Sequence, residues 1–465
     1  MSLQEAFEKT KKELTVTPEK LNEITNHFVS ELNKGLSKTG GNIPMIPGWV
    51  LSYPTGDETG EYLAIDLGGT NLRVVRVTLL GNSKFTYESE KYAIPGPMRT
   101  GKSEDLWNFI ADSLDDFVKI QYGSAKLNSK LPLGFTFSYP ASQNAINEGI
   151  LQRWTKGFDI ENVEGHDVVP LLQKAIDSKN TPVEVVALIN DTTGTLVASK
   201  YCDPSTIMGL IFGTGCNGAY YDICKDIPKL EGKLPNDILN DDSPMAINCE
   251  YGAFDNEWAV LPRTKYDIQI DNESPRPGQQ YYEKMIAGYY LGEVLRLILL
   301  DYYSQNLIFK NQDIKPLQVP FAMDTSFPSR IEEHSATFVE KLFLDSFNIK
   351  TTEEERNIIH DLCLLIGTRS ARLSVCGVAA ICKKRNYTSG HCASDGSVFN
   401  KYPHFKERAH EALNDIFQWN TDPKDYPITL IHAEDGSGVG AAVIACLTEK
   451  RLLANKSVGT IDSKL

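Results

Sequence analysis

The sequence predicts an α/β protein, built from alternating strands and helices. Three observations predict it. Apolar, β-branched runs of strand length alternate with segments of helical period along most of the chain. The design strand, glycine turn, strand occurs twice, in EYLAIDLGGTNLRVVRVTLL from Glu61 and in STIMGLIFGTGCNGAYYDI from Ser205. The length of 465 residues exceeds one ordinary core and accommodates about two or three domains.

Taken in order, Ser2 to Leu36 is a helical region with Leu21, Ile24, Phe28 and Leu32 at helical spacing, ended by Gly40, Gly41, Pro44 and Pro47. The first glycine hairpin follows. Ser103 to Phe117 predicts an amphipathic helix capped by Ser103, with Glu104 and Asp105 near its positive end. KLPLGFTFSYP and VEVVALIND read as short buried strands ending at polar residues, and TTGTLVASKYC as a helix. After the second hairpin come helices over Gln280 to Tyr303 and Thr352 to Lys384, then a strand, ITLIHA, running into DGSGVGAAVIACL. No low-complexity linker separates domains, so the lobes are expected to interleave in sequence.

Composition excludes several classes. A formal net charge of -14, without any long Lys/Arg run, repels nucleic acid, while a nucleotide site worked by local backbone N–H groups remains compatible with it. The nine cysteines form no CxxC pair, which reads as reduced and intracellular, and His391, His404 and His410 lack zinc-ligand spacing, so no metal held by protein ligands is expected. The N-terminal MSLQEAFEKTKKEL has no signal or transit character, and the apolar run from Tyr289 is interrupted by Glu293 and Arg296 at helical spacing. A cytoplasmic protein without a membrane partner is the expectation.

Four motifs bear chemistry. Gly96 to Ser103, GPMRTGKS, fits a Walker A loop by letter, but Pro95 precedes it and no buried strand leads in; a surface turn that caps the following helix is the better reading. DLGGT, Asp66 to Thr70, follows a strand, and its glycines let the backbone approach a phosphate. Together with GTGCNG from Gly213 it offers two glycine hairpins that can cradle phosphates from both sides of a cleft. The GxGxxG-like string after Glu434 lacks the following βαβ unit of a dinucleotide site, and packing explains it. Asp191, at a strand's end, is placed to accept a proton from a hydroxyl receiving a phosphoryl group, although a helix N-cap is the equal alternative. Asn190, Asn217, Glu250 and Glu283 supply the amides and carboxylates that grip sugar hydroxyls, and only a fold can bring them together.

With those segments in view, LAIDLGGTNLRV, GFTFSYPAS, RWTKGF, INDTTGTLVA, IFGTGCNGAY, INCEYGAFDNE, YEKMIAGYYLGEVLR, RLSVCGVAAIC, SDGSVFNKYPHF and AEDGSGVGAA together resemble a fungal-type hexokinase from about residue 15 to the C-terminus. The resemblance implies a two-lobed actin-like ATPase (ribonuclease H-like) fold. Its small lobe would be residues 57–190 with the C-terminal helix, 437–465; its large lobe would be 191–436 with 1–56. It implies an ATP-dependent hexokinase acting on the 6-hydroxyl of glucose, with fructose and mannose as further substrates, at the first step of glycolysis.

The resemblance further implies that Ser138, Thr155, Lys156, Asn190, Asp191, Asn217, Glu250 and Glu283 surround the hexose. Asp191 would be the base, and Lys156 would offset charge developing on the phosphoryl group. Around ATP it implies Asp66, Leu67, Gly68, Gly69, Thr70 and Asn71, with Lys91, Thr214 and Gly288. The softer nucleotide assignments are Thr325, Ser326, Phe327, Pro328 and Ser329, then Ser397, Val398, Phe399, Asn400 and Lys401. Mg2+ would be held mainly by ATP phosphates and water, and Arg73 would support the loop. The expected form is a free single-unit enzyme, monomer or homodimer, without the tail of many fungal members. A glucose-selective glucokinase and a catalytically weak sugar sensor are the alternatives.

Overall fold

Two sheets of the same strand order organise the chain, which the computed structural model describes over residues 2–123, 129–155 and 157–463. Numbered along the chain, the strands are β1 (Ile46–Pro47), β2 (Thr59–Leu67), β3 (Asn71–Gly81), β4 (Lys84–Ala93), β5 (Leu131–Phe137), β6 (Ala141–Ser142), β7 (Ile150–Leu151), β8 (Val183–Ile189), β9 (Thr206–Phe212), β10 (Cys216–Ile223), β11 (Pro244–Asn248), β12 (Gly390–Asp395) and β13 (Ile428–His432). The first sheet runs β4-β3-β2-β5-β8 and the second β1-β11-β10-β9-β12-β13. Apart from the short β1, each is an antiparallel meander of three strands with two parallel strands added beside the first. The repeated glycine hairpin of the sequence is therefore the visible part of a repeated sheet.

Strand burial follows position. β5 and β8 lie inside the first sheet's layers and are almost wholly apolar, whereas β4 is an edge whose KFTYESEKYA faces solvent, and its charges discourage edge-to-edge pairing. Beneath this sheet a core of Leu63, Ile65, Phe135, Trp107, Ile110 and Leu172 is closed by the Ser103–Tyr122 and Val168–Ser178 helices. A second, larger core surrounds the Glu353–Arg385 helix, which opens on a Thr352/Glu355 capping box. That helix is long and apolar enough to cross a membrane, but most of its apolar window is buried within the protein.

Two helices exchange sheets. Asp191–Cys202 follows β8 of the first sheet and packs on β9 and β10 of the second; Ala441–Leu453 follows β13 of the second and packs on β2, β5 and β8 of the first. Where they cross there is no room for a side chain. A Cβ on Gly440 would stand 2.2 Å from the Gly194 carbonyl oxygen, and one on Gly194 would stand 2.3 Å from that of Gly436. Past the second helix the chain returns to the first lobe's loop, Ile146 N–H donating to the Val458 carbonyl at 3.0 Å and Thr460 N–H to that of Asn144 at 2.8 Å.

Three local expectations change. The opening helical region is two helices, Leu3–Leu14 and Pro18–Ser37, because Pro18 has no N–H to continue the ladder and Thr17 caps the second. Gln280 to Tyr303 is likewise two, Tyr281–Ile286 and Gly288–Ser304, parted at extended Ala287. Ser103 does not cap its helix: Lys102 occupies that position without a side-chain bond, and the Ser103 hydroxyl accepts the Trp107 indole N–H at 2.9 Å.

Gly440→Ala is expected to lower the stability to urea by about 3 kcal/mol, because the added methyl meets a backbone carbonyl that cannot move aside. Equilibrium unfolding followed by circular dichroism checks it, and a change within error would show that the crossing has slack.

Candidate functional site

Every parallel strand of both sheets ends at a polar or glycine segment. β2, β5 and β8 give way to Gly68, Ser138 and Asn190; β9, β12 and β13 give way to Gly213, Gly396 and Glu434. In open α/β sheets ligands bind in the crevice beyond the carboxyl ends of such strands, which places the candidate site at the helix crossing between the two sheets.

Two of the sugar-type residues begin the Asp191–Cys202 helix. Asn190 is its N-cap, its Oδ1 accepting Thr192 N–H at 2.8 Å. Asp191 follows in the first turn, its Oδ1 accepting the same N–H at 2.7 Å and the Thr192 hydroxyl at 3.2 Å. Both of these bonds fall on Oδ1 of the Asp191 carboxylate. The helix cap is therefore Asn190, and Asp191 is the first residue inside the helix.

Asn217 begins β10 and builds the opposite wall. Its amide donates to Asn248 Oδ1 at 2.7 Å and to Glu250 Oε1 at 3.0 Å, while its carbonyl oxygen accepts Glu250 N–H at 2.9 Å. Asn248 also donates to Glu250 Oε1 at 2.9 Å, and Glu250 turns in the left-handed region at φ 54° to meet them. Glu283 joins from the Tyr281–Ile286 helix, its Oε2 accepting Cys216 N–H at 2.9 Å. Asn190, Asn248 and Glu250 line one cavity with Tyr139 and Gln143. One residue of this wall went unnoticed in the sequence: Asn248, ending an apolar strand and 6% exposed, carried the signal of a buried amide that must find a partner.

Burial pushes the Glu283 carboxyl above the ordinary carboxylate range; the Cys216 N–H opposes this, Glu250 adds to it and Lys284 opposes it. A carboxylate held this way gains from any sugar hydroxyl that donates to it.

Ser138 follows β5 beside Tyr139, whose hydroxyl donates to the Gly68 carbonyl at 3.2 Å and so ties it to the first hairpin. Thr155 lies in a turn closed by Phe158 N–H at 3.1 Å, backed by the Trp154–Phe158 ring stack. Lys156 lies outside the described residues. The Walker-like segment sits behind this turn: Gly96–Arg99 is a short 3₁₀ turn leaving the exposed edge strand β4, and the Arg99 carbonyl accepts Asp159 N–H at 2.8 Å. It braces the sugar-type turn and does not leave a buried strand as a phosphate loop requires.

The first hairpin closes with Gly68 N–H donating to the Asn71 carbonyl at 3.0 Å, and Asn71 Nδ2 donates to the Thr70 hydroxyl at 2.9 Å. Asp66, Arg73 and Lys91 lie opposite one another across β2, β3 and β4, hence on one face. At the second hairpin Gly288 N–H donates to the Gly213 carbonyl at 2.8 Å, and the Thr325 hydroxyl donates to the Gly288 carbonyl. Thr214, Thr325, Ser326, Ser329, Ser397 and Lys401 line an open-sided cavity with Tyr289 and Phe321. Five expected nucleotide residues are turned away from it: Leu67, Phe327, Pro328, Val398 and Phe399 are buried in the cores, and Val398 packs against Gly288. Asn400 is engaged by Asp395 and His432 instead of the cavity.

The family description "Hexokinase" matches residues 6–201 and 207–447. A hexokinase of Schwanniomyces occidentalis is 67% identical over 442 residues, 94% of this chain and 92% of its own. Hexokinase-2 of Saccharomyces cerevisiae is 62% identical over 466 residues, 99% of this chain and 96% of its own. A hexokinase of Schistosoma mansoni, solved in complex with glucose, superposes with a TM-score of 0.82 at 33% identity, covering 96% of this chain and all of the other.

Because the fold favours protonated Glu283, its contribution to stability is present below the usual glutamate value of 4.5 and is lost as pH rises through the raised value. Glu283→Gln keeps an acceptor for Cys216 N–H without the buried charge. Thermal unfolding of the sugar-free protein at pH 5 and pH 8 is therefore expected to show a smaller loss toward pH 8 in Glu283→Gln than in wild type.

Proposed function

The chain belongs to the hexokinase family, and from that premise we propose how its residues share the transfer of a phosphoryl group from ATP to the 6-hydroxyl of a hexose. The family's reaction is the entry of hexose into glycolysis. The observation that carries the assignment of roles is the cavity at the carboxyl end of β8, where Asn190 and Glu250 reach it from the two sheets and Asp191 stands one residue beyond Asn190.

In this reading Asn190, Asn217, Glu250 and Glu283 hold the sugar hydroxyls, with Ser138, Thr155 and Lys156 closing on them from the first lobe. Thr192 fixes Oδ1 of Asp191, so Oδ2 faces the 6-hydroxyl and takes its proton as the bond from O6 to phosphorus forms and the bond to the ADP oxygen breaks. The glycine hairpins lay backbone N–H groups along the phosphates, and the adenosine lies in the cavity walled by Thr325, Ser326, Ser329, Ser397 and Lys401. Among the described residues no three His, Cys, Asp or Glu side chains come together to hold a metal. Mg2+ would be carried by the ATP phosphates and water, with Asp66 holding one of the ion's bound waters. Bound there, the ion would neutralise charge on the transferring phosphoryl group.

The lobes we assign, residues 57–190 with 437–465 and 191–436 with 1–56, meet at the helix crossing. A swing about that crossing, driven by sugar, would bring Thr155 and Lys156 onto the hexose and exclude water, the competing acceptor. Glucose, fructose and mannose all present a 6-hydroxyl to this arrangement.

Asp191→Ala is expected to lower kcat by about 10²–10⁴-fold while leaving glucose affinity within a few-fold, and Lys102→Ala to leave both unchanged. Coupled ADP release with glucose, fructose, mannose and no sugar, alongside a glucose-binding titration, reads all of this. Full turnover in Asp191→Ala would overturn the role of the base, and turnover with glucose alone would narrow the enzyme to a glucose-selective one.

A further inference from the structure

Glu293 and Arg296, which interrupt the apolar run after Tyr289, are buried on the Gly288–Ser304 helix and paired through two nitrogens, Nε donating to Oε2 at 2.7 Å and Nη2 to Oε1. Each partner also reaches the loop beyond the helix. Arg296 Nη1 donates to the Leu317 carbonyl at 3.0 Å, and Glu293 Oε2 accepts Phe321 N–H at 2.8 Å. Further along, the Met323 and Asp324 carbonyls come so close to the helix that a Cβ on Gly292 would stand 2.2 and 2.4 Å from them. A buried ion pair thus clamps the loop that leads into Thr325 at the nucleotide cavity.

Phe321 sits in that clamp in the left-handed region, at φ 56°, a conformation that a bulky residue keeps only where its surroundings impose it. Its ring lies 4.8 Å from that of Tyr289 with a tilt of 32°, and Tyr290 stands edge-on to Tyr289 at 5.1 Å. Tyr289 and Phe321 both line the cavity, and Tyr289 is 50% exposed. The second glycine hairpin fixes where this pair begins. Tyr289 N–H points to the Thr214 carbonyl at 3.4 Å, one residue after Gly288 N–H meets that of Gly213, so the rings start where the hairpin ends.

We propose that Tyr289 and Phe321 form the stacking platform for the base of the nucleotide, Tyr289 touching the base and Phe321 backing the tyrosine ring. The proposal rests on the reading of this cavity as the adenosine's. An aromatic face attracts the π face of any base, and the overlap grows with the area of the base. The platform therefore prefers a purine to a pyrimidine nucleoside triphosphate, and it does so through ring area without a hydrogen bond to the base edge. Glu293 contributes from behind, by holding the backbone that carries Phe321.

The test compares a ligand that has a base with one that has none: the Mg2+ complexes of adenylyl imidodiphosphate and of tripolyphosphate, titrated by calorimetry with glucose present. The variants are Tyr289→Ala, Tyr289→Phe, Phe321→Ala and Ser329→Trp, the last placing an indole in the cavity. Tyr289→Ala is expected to weaken the adenine nucleotide about tenfold, the size of one lost base stack, with tripolyphosphate and glucose affinities within about twofold of wild type. Tyr289→Phe, which keeps the ring, should bind as wild type, and Phe321→Ala should lose less than Tyr289→Ala. In steady-state turnover the KM advantage of ATP over UTP should shrink in Tyr289→Ala. Equal weakening of both ligands, an undiminished advantage over UTP, or unchanged binding in Tyr289→Ala while Ser329→Trp weakens the nucleotide would overturn the platform and leave the cavity reading intact. Unchanged nucleotide binding in Ser329→Trp as well would overturn both. Should Tyr289→Ala fail to fold, Tyr289→Leu, apolar but without a π face, is expected to show the same selective loss, and wild-type affinity there would count against the proposal.

Discussion

Two helices crossing with nothing between them but glycine backbone is the constraint on which the rest of this structure depends. Each comes from one sheet and seats on the other, so the sheets are joined by exchanged elements whose apolar side chains pack with both of them into one continuous core. The carboxyl ends of both parallel strand sets open at the same place, so whatever binds there touches both halves of the molecule. The architecture makes a ligand-responsive cleft out of two copies of one simple sheet.

Within the cleft, charge is distributed unevenly for physical reasons. Glu250 and Glu283 are near each other in a buried wall, and their repulsion and desolvation are offset by the amides of Asn217 and Asn248 and by the Cys216 N–H. Such a wall offers acceptor oxygens to a ligand rich in hydroxyl donors. Asp191 stands at the start of a helix, where its Oδ1 accepts the backbone N–H of Thr192.

Much of this was legible in the sequence, and what was not has a common cause. The hairpins, the strands ending at Ser138 and Asn190, and the long helix after Thr352 follow from local periodicity, caps and glycine placement. The two helix breaks were missed because Pro18 and Ala287 interrupt an apolar stripe that otherwise continues. Phe327, Pro328, Val398 and Phe399 lie in segments that line the nucleotide cavity, but a segment does not say which way each side chain turns. The Arg73–Asp435 pair lies beyond local reading altogether. The pair joins residues 362 positions apart, and nothing in either neighbourhood marks it.

The exchanged helices also order the birth of the protein. The first sheet is complete in hydrogen bonds once β8 has been made, yet the helix that covers β2, β5 and β8 is Ala441–Leu453, which follows β8 by some 250 residues. Until that helix has emerged, the sheet holds an apolar face without its cover. At about 5–20 residues per second the interval lasts tens of seconds. A chain built this way joins its two sheets at the cost of a nascent state with an exposed apolar face.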